Sequence, residues 1–339
     1  MPALFSRYRP EIDSLMKKIV CRRESQLYDM IRYHLGWIDE NGAPFTGDSG
    51  KALRPGLCLL ACEAVCGDHA KALPAAVAIE LVHNYSLIHD DIQDSDAERR
   101  HRPTVWKIWG VPQAINAGTA AKVIASMALG EYRELGFTAE KTVEIVMIIE
   151  EATLHIIEGQ HLDIGFENMN DISVHQYLEM IRNKTGALIS AALRAGATAG
   201  CGERRTAEKF GELGMMLGIA FQARDDILGI WGSAEATGKP EASDIRRKKK
   251  SLPVVHMLSS ASKSERASLD RIYAMEQIDD CAVRTVMTLL ESTGARESAE
   301  ALVDSSSARC FEIIDSLPID YSYRTELKTI TESLSGRDR

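Results

Sequence analysis

Residues 73–94 read LPAAVAIELVHNYSLIHDDIQD, and this stretch decides the fold. Pro74 stands where a first-turn proline opens a helix, because the N–H it lacks would have no partner there. From Ala75 to Ile88 the pattern is apolar on nearly every side, which marks a buried central helix. The helix then ends in Asp90, Asp91 and Asp94. Unpaired carboxylates are expensive in such a setting. A second stretch repeats the arrangement: Met215-Met216-Leu217-Gly218-Ile219-Ala220-Phe221 leads into Gln222 and the pair Asp225-Asp226. A hard divalent cation accounts for both, since Mg2+ takes oxygen ligands and is usually shared between carboxylates and phosphates. The expectation is two helices that bring their carboxylates to the mouth of one cavity.

Helical periodicity continues outward in both directions, with no alternating strand pattern. Helices are expected over Leu53–Cys66, from Pro112 through Ala121 and Met127 towards Leu135, and from Ala139 to about Gln160. Ser173 and Gln176 form a capping box that starts another. That helix meets Lys184-Thr185-Gly186, where the glycine weakens it. Further helices are expected over about Glu208–Ile230, Leu252–Ser260, Glu265–Met275, Cys281–Ser292, Ala295–Leu317 and Tyr323–Leu334. The fold class is therefore all-α. The breaks near Ser233–Ser251 and Ser260–Glu265 read as loops, so residues 1–339 are taken as one domain.

Composition is ordinary for a globular chain, with 45% apolar residues and a net charge of −9. The acidic balance argues against nucleic acid, and a diphosphate substrate would need metal ions and a local basic patch to overcome it. The run Arg246-Arg247-Lys248-Lys249-Lys250 is a nucleic-acid or localisation signal elsewhere; with no other basic stripe it reads here as a phosphate-closing or solvated loop. Seven cysteines, an odd number without scaffold spacing, suggest a reducing cytoplasm. Cys58, Cys62 and Cys66 share one helix face and are read as small core residues, not as a thiolate metal site. No signal peptide and no spanning helix are expected.

Asp90 and Asp94 lie one turn apart on one helix face, and His83 lies about two turns before Asp90. Basic residues cluster near both acid groups: Lys51 and Arg54 in Gly50–Pro55, Arg99 and Arg100, and Lys239 in Thr237–Pro240. Guanidinium suits bidentate phosphate contacts and lysine adds a compact charge. Together these residues resemble the trans-isoprenyl diphosphate synthases of the polyprenyl synthetase family. The motifs are GKxxRP at Gly50–Pro55, DDxxD at Asp90–Asp94, Arg99-Arg100, GQxxD at Gly159–Asp163, Lys184-Thr185, and FQxxDD at Phe221–Asp226 followed by GKP.

The resemblance implies an all-α isoprenoid synthase-type bundle around a deep central cavity, normally a homodimer, with isopentenyl diphosphate and an allylic diphosphate as substrates. It implies that Asp90, Asp94 and Asp225 ligate three Mg2+ ions, with Asp91 and Asp226 in support. Arg99, Lys184, Lys239 and Lys249 would contact the allylic diphosphate, and Lys51, Arg54, His83 and Arg100 the other. Thr185 and Gln222 would face the carbocation, and Gln160 and Asp163 would orient a metal-bound water or Lys184. Two positions depart from the pattern: Gly229 where a third Asp is usual, and Thr119 where many members carry Asp. Tyr85, five residues or about 7.5 Å before Asp90, can floor the cavity as Ser86 beside it cannot; an aromatic there goes with short products, so C15 or C20 is expected, with C20 slightly ahead. A class I terpene cyclase would need an Asn/Asp-Asp-x-x-Ser-x-x-x-Glu motif, which Gly229 and Ser233 do not supply. A non-catalytic partner subunit usually loses acids that are all present here.

Overall fold

The computed structural model describes residues 6–45, 47, 50, 52–167, 169, 171–200, 203–233 and 241–336. Its helices are α1 (Arg9–Val20), α2 (Gln26–His34), α3 (Leu53–Cys66), α4 (Leu73–Gln93), α5 (Val105–Trp109), α6 (Val111–Ala128), α7 (Ala139–Glu167), α8 (Val174–Ile181), α9 (Ala187–Gly200), α10 (Arg204–Trp231), α11 (Ser243–Arg246), α12 (Leu252–Ser260), α13 (Lys263–Tyr273), α14 (Asp280–Ser292), α15 (Ala295–Ser316) and α16 (Tyr321–Ser335). The described chain divides into two compact units. One comprises Met1–Ile156, Leu188–Gly214 and Leu317–Tyr323; the other comprises Ile157–Ala187, Met215–Ser316 and Arg324–Arg339.

In the first unit α4 is the buried helix that its sequence predicts: Ala75 to Leu81 have almost no exposed surface, and even Glu80 is buried. α3 approaches α9 backbone to backbone. A Cβ at Gly196 would lie 2.0 Å from the carbonyl oxygen of Cys58, and one at Gly200 would lie 2.9 Å from that of Cys62. Burial pushes the thiols of Cys58 and Cys62 up, so they stay protonated. These two are core residues, as their spacing suggested, whereas Cys66, the third on that face, is only half-buried.

One strand pair escaped the sequence reading. β1 (Glu98–Arg99) and β2 (Arg102–Pro103) form a minimal antiparallel hairpin directly after α4. Its tip residues, Arg100 and His101, both have positive φ (53° and 60°), the geometry of the tightest hairpin turns. Two residues per strand are too few to show an alternating pattern.

In the second unit, Tyr177 and Ile181 of α8 pack with Ile219, Ala223 and Ile227 of α10 and with Leu252 and Val255 of α12. α8 starts at the expected capping box, with both reciprocal bonds of Ser173 and Gln176 present. It ends in a π-helical turn, Arg182–Gly186, that leads into α9. Such bulges insert one residue into a helix and re-aim side chains, often at functional sites.

Candidate active site

In the first unit, the candidate residues gather at the end of α4. Consecutive helical residues point about 100° apart, and this separates the two adjacent acids. Asp91 turns inward and is 1% exposed, whereas Asp90 is half-buried and Asp94, one turn on, is exposed. The hairpin folds Arg99 back so that Nε and Nη2 both donate to Asp91 Oδ1 at 2.7 Å. Asp91 Oδ2 is buried without a hydrogen-bond partner. Asp91 lines a cavity of about 20 Å3 together with His34, Arg100 and Arg102, room for a single water.

Around this point the charge is positive and the histidines are neutral. Arg54, in the first turn of α3, places Nη1 3.2 Å from Nε2 of His83. Burial, then Arg54 and Arg100, hold the His83 imidazole well below its ordinary pKa. Burial with Arg100 and Arg99 likewise pushes His34 down to about 3. A neutral His83 accepts from Arg54 and keeps its other nitrogen as a donor. Gly50, at φ +85°, carries the first residue of the GKxxRP motif, and a Cβ there would lie 2.8 Å from Nη2 of Arg100. Lys51 lies outside the described residues.

Further up α4, Tyr85 is 6% exposed and stacks edge-on against His89, with ring centroids 5.4 Å apart. Gly118 of α6 makes room for His89: a Cβ there would be 2.4 Å from the imidazole. Burial, then Asp90 and Glu150, push the Tyr85 phenol up to about 12. Ser86 is spent on a local bond to the carbonyl of His83 at 2.8 Å. Thr119 stands exposed on α6.

In the second unit, the candidate residues gather on α10, and the acid pair there shows the same division. Asp226 is wholly buried and Asp225 is exposed. Asp226 Oδ2 accepts from the hydroxyl of Tyr177 and from the backbone N–H of Leu252 at 3.1 Å, and Oδ1 accepts from Gln222 Nε2 at 3.1 Å. Burial raises Asp226 to about 6, against the opposing pull of Lys249. Burial, then Asp226, holds the Tyr177 phenol protonated. Tyr177 is the functional neighbour that sequence reading passed over; its one signal was a lone aromatic one turn after the capping box.

The π turn sits between two glycines. A Cβ at Gly159 of α7 would lie 2.3 Å from the backbone nitrogen of Lys184, and one at Gly218 of α10 would lie 2.6 Å from Cα of Gly186. Only bare backbone lets the turn lie this close. Lys184 Nζ reaches Asp163, and Thr185 Oγ1 donates to Gln222 Oε1 at 2.8 Å. Asp163 thus meets Lys184 as the resemblance implied. Gln160 does not: both amide atoms are buried with no partner.

The basic run resolves into internal ties. Arg246 pairs with Asp280, Lys248 binds the carbonyl of Met275, and Lys250 donates to the carbonyls of Phe166 and Glu167 at the end of α7. Enclosure works against the charge of Lys249, but Asp226, Asp244, Asp225 and Asp163 overcome it and raise its pKa. Lys239 lies outside the described residues. At Gly229, the space for a side chain is already filled: a Cβ would lie 2.3 Å from Oδ2 of Asp244, a buried residue of α11.

Among the described residues no three His, Cys, Asp or Glu side chains converge on one point. The outward acids Asp90, Asp94 and Asp225 offer one or two oxygens each, which suits a hard cation that draws its remaining ligands from water and phosphate. The inward acids Asp91 and Asp226 are committed to protein donors.

A model of the polyprenyl synthetase family matches residues 36–290. The chain is 39% identical over 293 residues to a (2E,6E)-farnesyl diphosphate synthase of Mycobacterium tuberculosis, covering 86% of this chain and 80% of that one. It is 35% identical over 305 residues to a geranylgeranyl diphosphate synthase of the same organism, covering 89% and 85%. The crystal structure of a polyprenyl synthetase from Streptomyces coelicolor A3(2) superposes with a TM-score of 0.91 at 36% identity, over 98% of each chain.

Restoring an acid at Gly229 is expected to harm the protein. Gly229→Asp forces a second carboxylate onto that of Asp244, and overpacking of this kind costs about 1–3 kcal/mol before charge repulsion. Thermal unfolding should show a lower midpoint for Gly229→Asp and partial recovery in Gly229→Asp with Asp244→Gly; an unchanged midpoint in the single variant contradicts this packing.

Proposed function

Because this chain belongs to the polyprenyl synthetase family, we propose that it is a Mg2+-dependent trans-prenyltransferase that joins isopentenyl diphosphate head-to-tail to an allylic diphosphate, releases diphosphate, and stops at C15 or C20. The observation that carries this reading is the split within each aspartate pair. Asp91 and Asp226 are buried and bonded to the protein, whereas Asp90 is half-buried and Asp94 and Asp225 are exposed.

Asp90, Asp94 and Asp225 are the residues that would hold Mg2+, which when bound neutralises the allylic diphosphate and eases its departure. Lys184, paired with Asp163, and Lys249, whose charge four carboxylates favour, add positive charge to the same end of the reaction. Arg99 is engaged by Asp91 and reaches a diphosphate from that tether. Arg54, neutral His83 and Arg100 bind isopentenyl diphosphate, with Lys51 and Lys239 joining their respective diphosphates. Thr185 and Gln222, bonded to each other, face the allylic cation, and the unpartnered Gln160 amide orders water or substrate. The departing diphosphate takes the proton lost after carbon–carbon bond formation. The apolar wall of α4 keeps out water, which would quench the cation.

Tyr85 closes the path of the growing tail. Its ring is held by His89, which is itself seated on Gly118. We place the enzyme in the cytoplasm as a homodimer. Free thiols at six described cysteines support the first. An apolar stripe on α6 and α7, with Ile115, Val123, Met127, Val143, Met147 and Leu154 each 46–58% exposed, supports the second. Among the described residues no helix is long and apolar enough to cross a membrane.

Purified protein given isopentenyl diphosphate and a C5, C10 or C15 allylic diphosphate should form C15 or C20 products with Mg2+ and none with chelator, read by mass spectrometry. Absence of elongation from every starter overturns the reading. Tyr85→Ala should lengthen the product by at least one C5 unit; unchanged length removes Tyr85 as the floor.

A further inference from the structure

Four side chains of the second unit form one line of hydrogen bonds whose direction is fixed at its buried end. Asp226 is 0% exposed and Tyr177 1%. The Tyr177 hydroxyl and the Leu252 N–H both donate to Asp226 Oδ2, so that oxygen is saturated and the carboxylate cannot rotate. Its Oδ1 then faces Gln222 at 3.1 Å. A carboxylate oxygen only accepts, so the amide must present Nε2 to it. With Nε2 committed, Oε1 of Gln222 is turned to Thr185 Oγ1 at 2.8 Å, and the hydroxyl proton of Thr185 is used on that bond. Every proton in the line points towards Asp226. What remains free at the far end is the lone pairs of the Thr185 oxygen.

We propose that Tyr177 is a positioning residue that acts through Asp226 and Gln222 to hold the Thr185 hydroxyl with its lone pairs, and never its proton, towards the developing allylic cation. This rests on the reading of the site as one that ionises an allylic diphosphate. A hydroxyl whose proton is drawn to a carboxylate-polarised amide is a stronger electron donor than a freely rotating one, because bonds in a chain polarise each other. A hydroxyl turned the other way would aim a partial positive charge at the cation. The polarity is set in advance, so no reorganisation is needed when charge develops. The packing serves the same end. The capping box at Ser173 and Gln176 fixes the first turn of α8, and Tyr177 is seated among Ala223, Ile227 and Val255.

The test is a double-mutant cycle on the full-length protein with Tyr177→Phe and Thr185→Val, reading kcat, the KM of each substrate, and the thermal unfolding midpoint. Tyr177→Phe alone should lower kcat about tenfold, with each KM within about twofold; tenfold corresponds to ~1.4 kcal/mol. In the Thr185→Val background the same substitution should lower kcat by less than about twofold, because the end of the line is gone. A merely structural role would lower the midpoint equally in both backgrounds and leave the kcat effects additive, and additivity overturns the proposal. So does a rise in KM at unchanged kcat. Thr185→Ser, which keeps the oxygen, should retain the full response to Tyr177→Phe. If Tyr177→Phe does not fold, Gln222→Met reads the line from its centre, with the same coupling expected and the same additivity as refutation. A wild-type enzyme that elongates no substrate removes the site reading and this proposal together; an active wild type with additive variants removes this proposal alone.

Discussion

A carboxylate taken out of water must find donors in the protein or it destabilises the helix that carries it. The desolvation penalty for such an ion is several kcal/mol, and stranding one member of a buried charge pair typically costs about 3–5 kcal/mol. Asp91 and Asp226 both sit under this constraint. The surrounding structure is arranged to meet it: a six-residue hairpin returns Arg99 to Asp91, and α8 and the first turn of α12 bring Tyr177 and the Leu252 N–H to Asp226. Anchoring the inward acid fixes the rotation of the whole helix end. The less buried acids Asp90, Asp94 and Asp225 are thereby set on the other side of their helix ends.

The second requirement is close approach of backbones. Lys184 and Thr185 sit in a π turn that two glycines, Gly159 and Gly218, allow to lie nearly in contact with α7 and α10. The glycine of GQxxD is thus a spacing device and the aspartate four residues on is the tether for Lys184. Gly50 does the same for Arg100, and Gly229 gives way to the Asp244 carboxylate. At each of these glycines the space a side chain would need is already taken by a group of the site.

Most of the helical frame was legible because it is written in local patterns: α3 and α12 run over the expected residues, and α4 is buried as its unbroken apolar run required. Boundaries drifted where no cap marks them, as at α7, which continues to Glu167 past the expected end near Gln160. The α1 and α2 helices were not read, and neither was the hairpin, whose two-residue strands carry no period. The aspartate pairs were legible as pairs. Which member turns inward followed only as a carry-over from the family resemblance, because it depends on partners 8 and 49 residues away in the chain, Arg99 and Tyr177. The partners of the basic run were hidden for the same reason: its spacing shows charge, and only the folded chain shows that Arg246, Lys248 and Lys250 are bound to groups of the protein.

The most direct measurement compares Asp90→Asn and Asp225→Asn with Asp91→Asn and Asp226→Asn, reading two quantities for each: the thermal unfolding midpoint without ligand, and the Mg2+-dependent binding of an allylic thiodiphosphate that cannot ionise readily. Substitution of the outward acids should leave the midpoint within about 2 °C and abolish most of the Mg2+-dependent binding, whereas substitution of the inward acids should lower the midpoint by several degrees, in line with the loss of about 1–3 kcal/mol at a buried hydrogen-bonded group. Equal loss of stability from all four, or loss of Mg2+-dependent binding from the inward pair alone, would contradict the division of each aspartate pair into an anchor and a ligand.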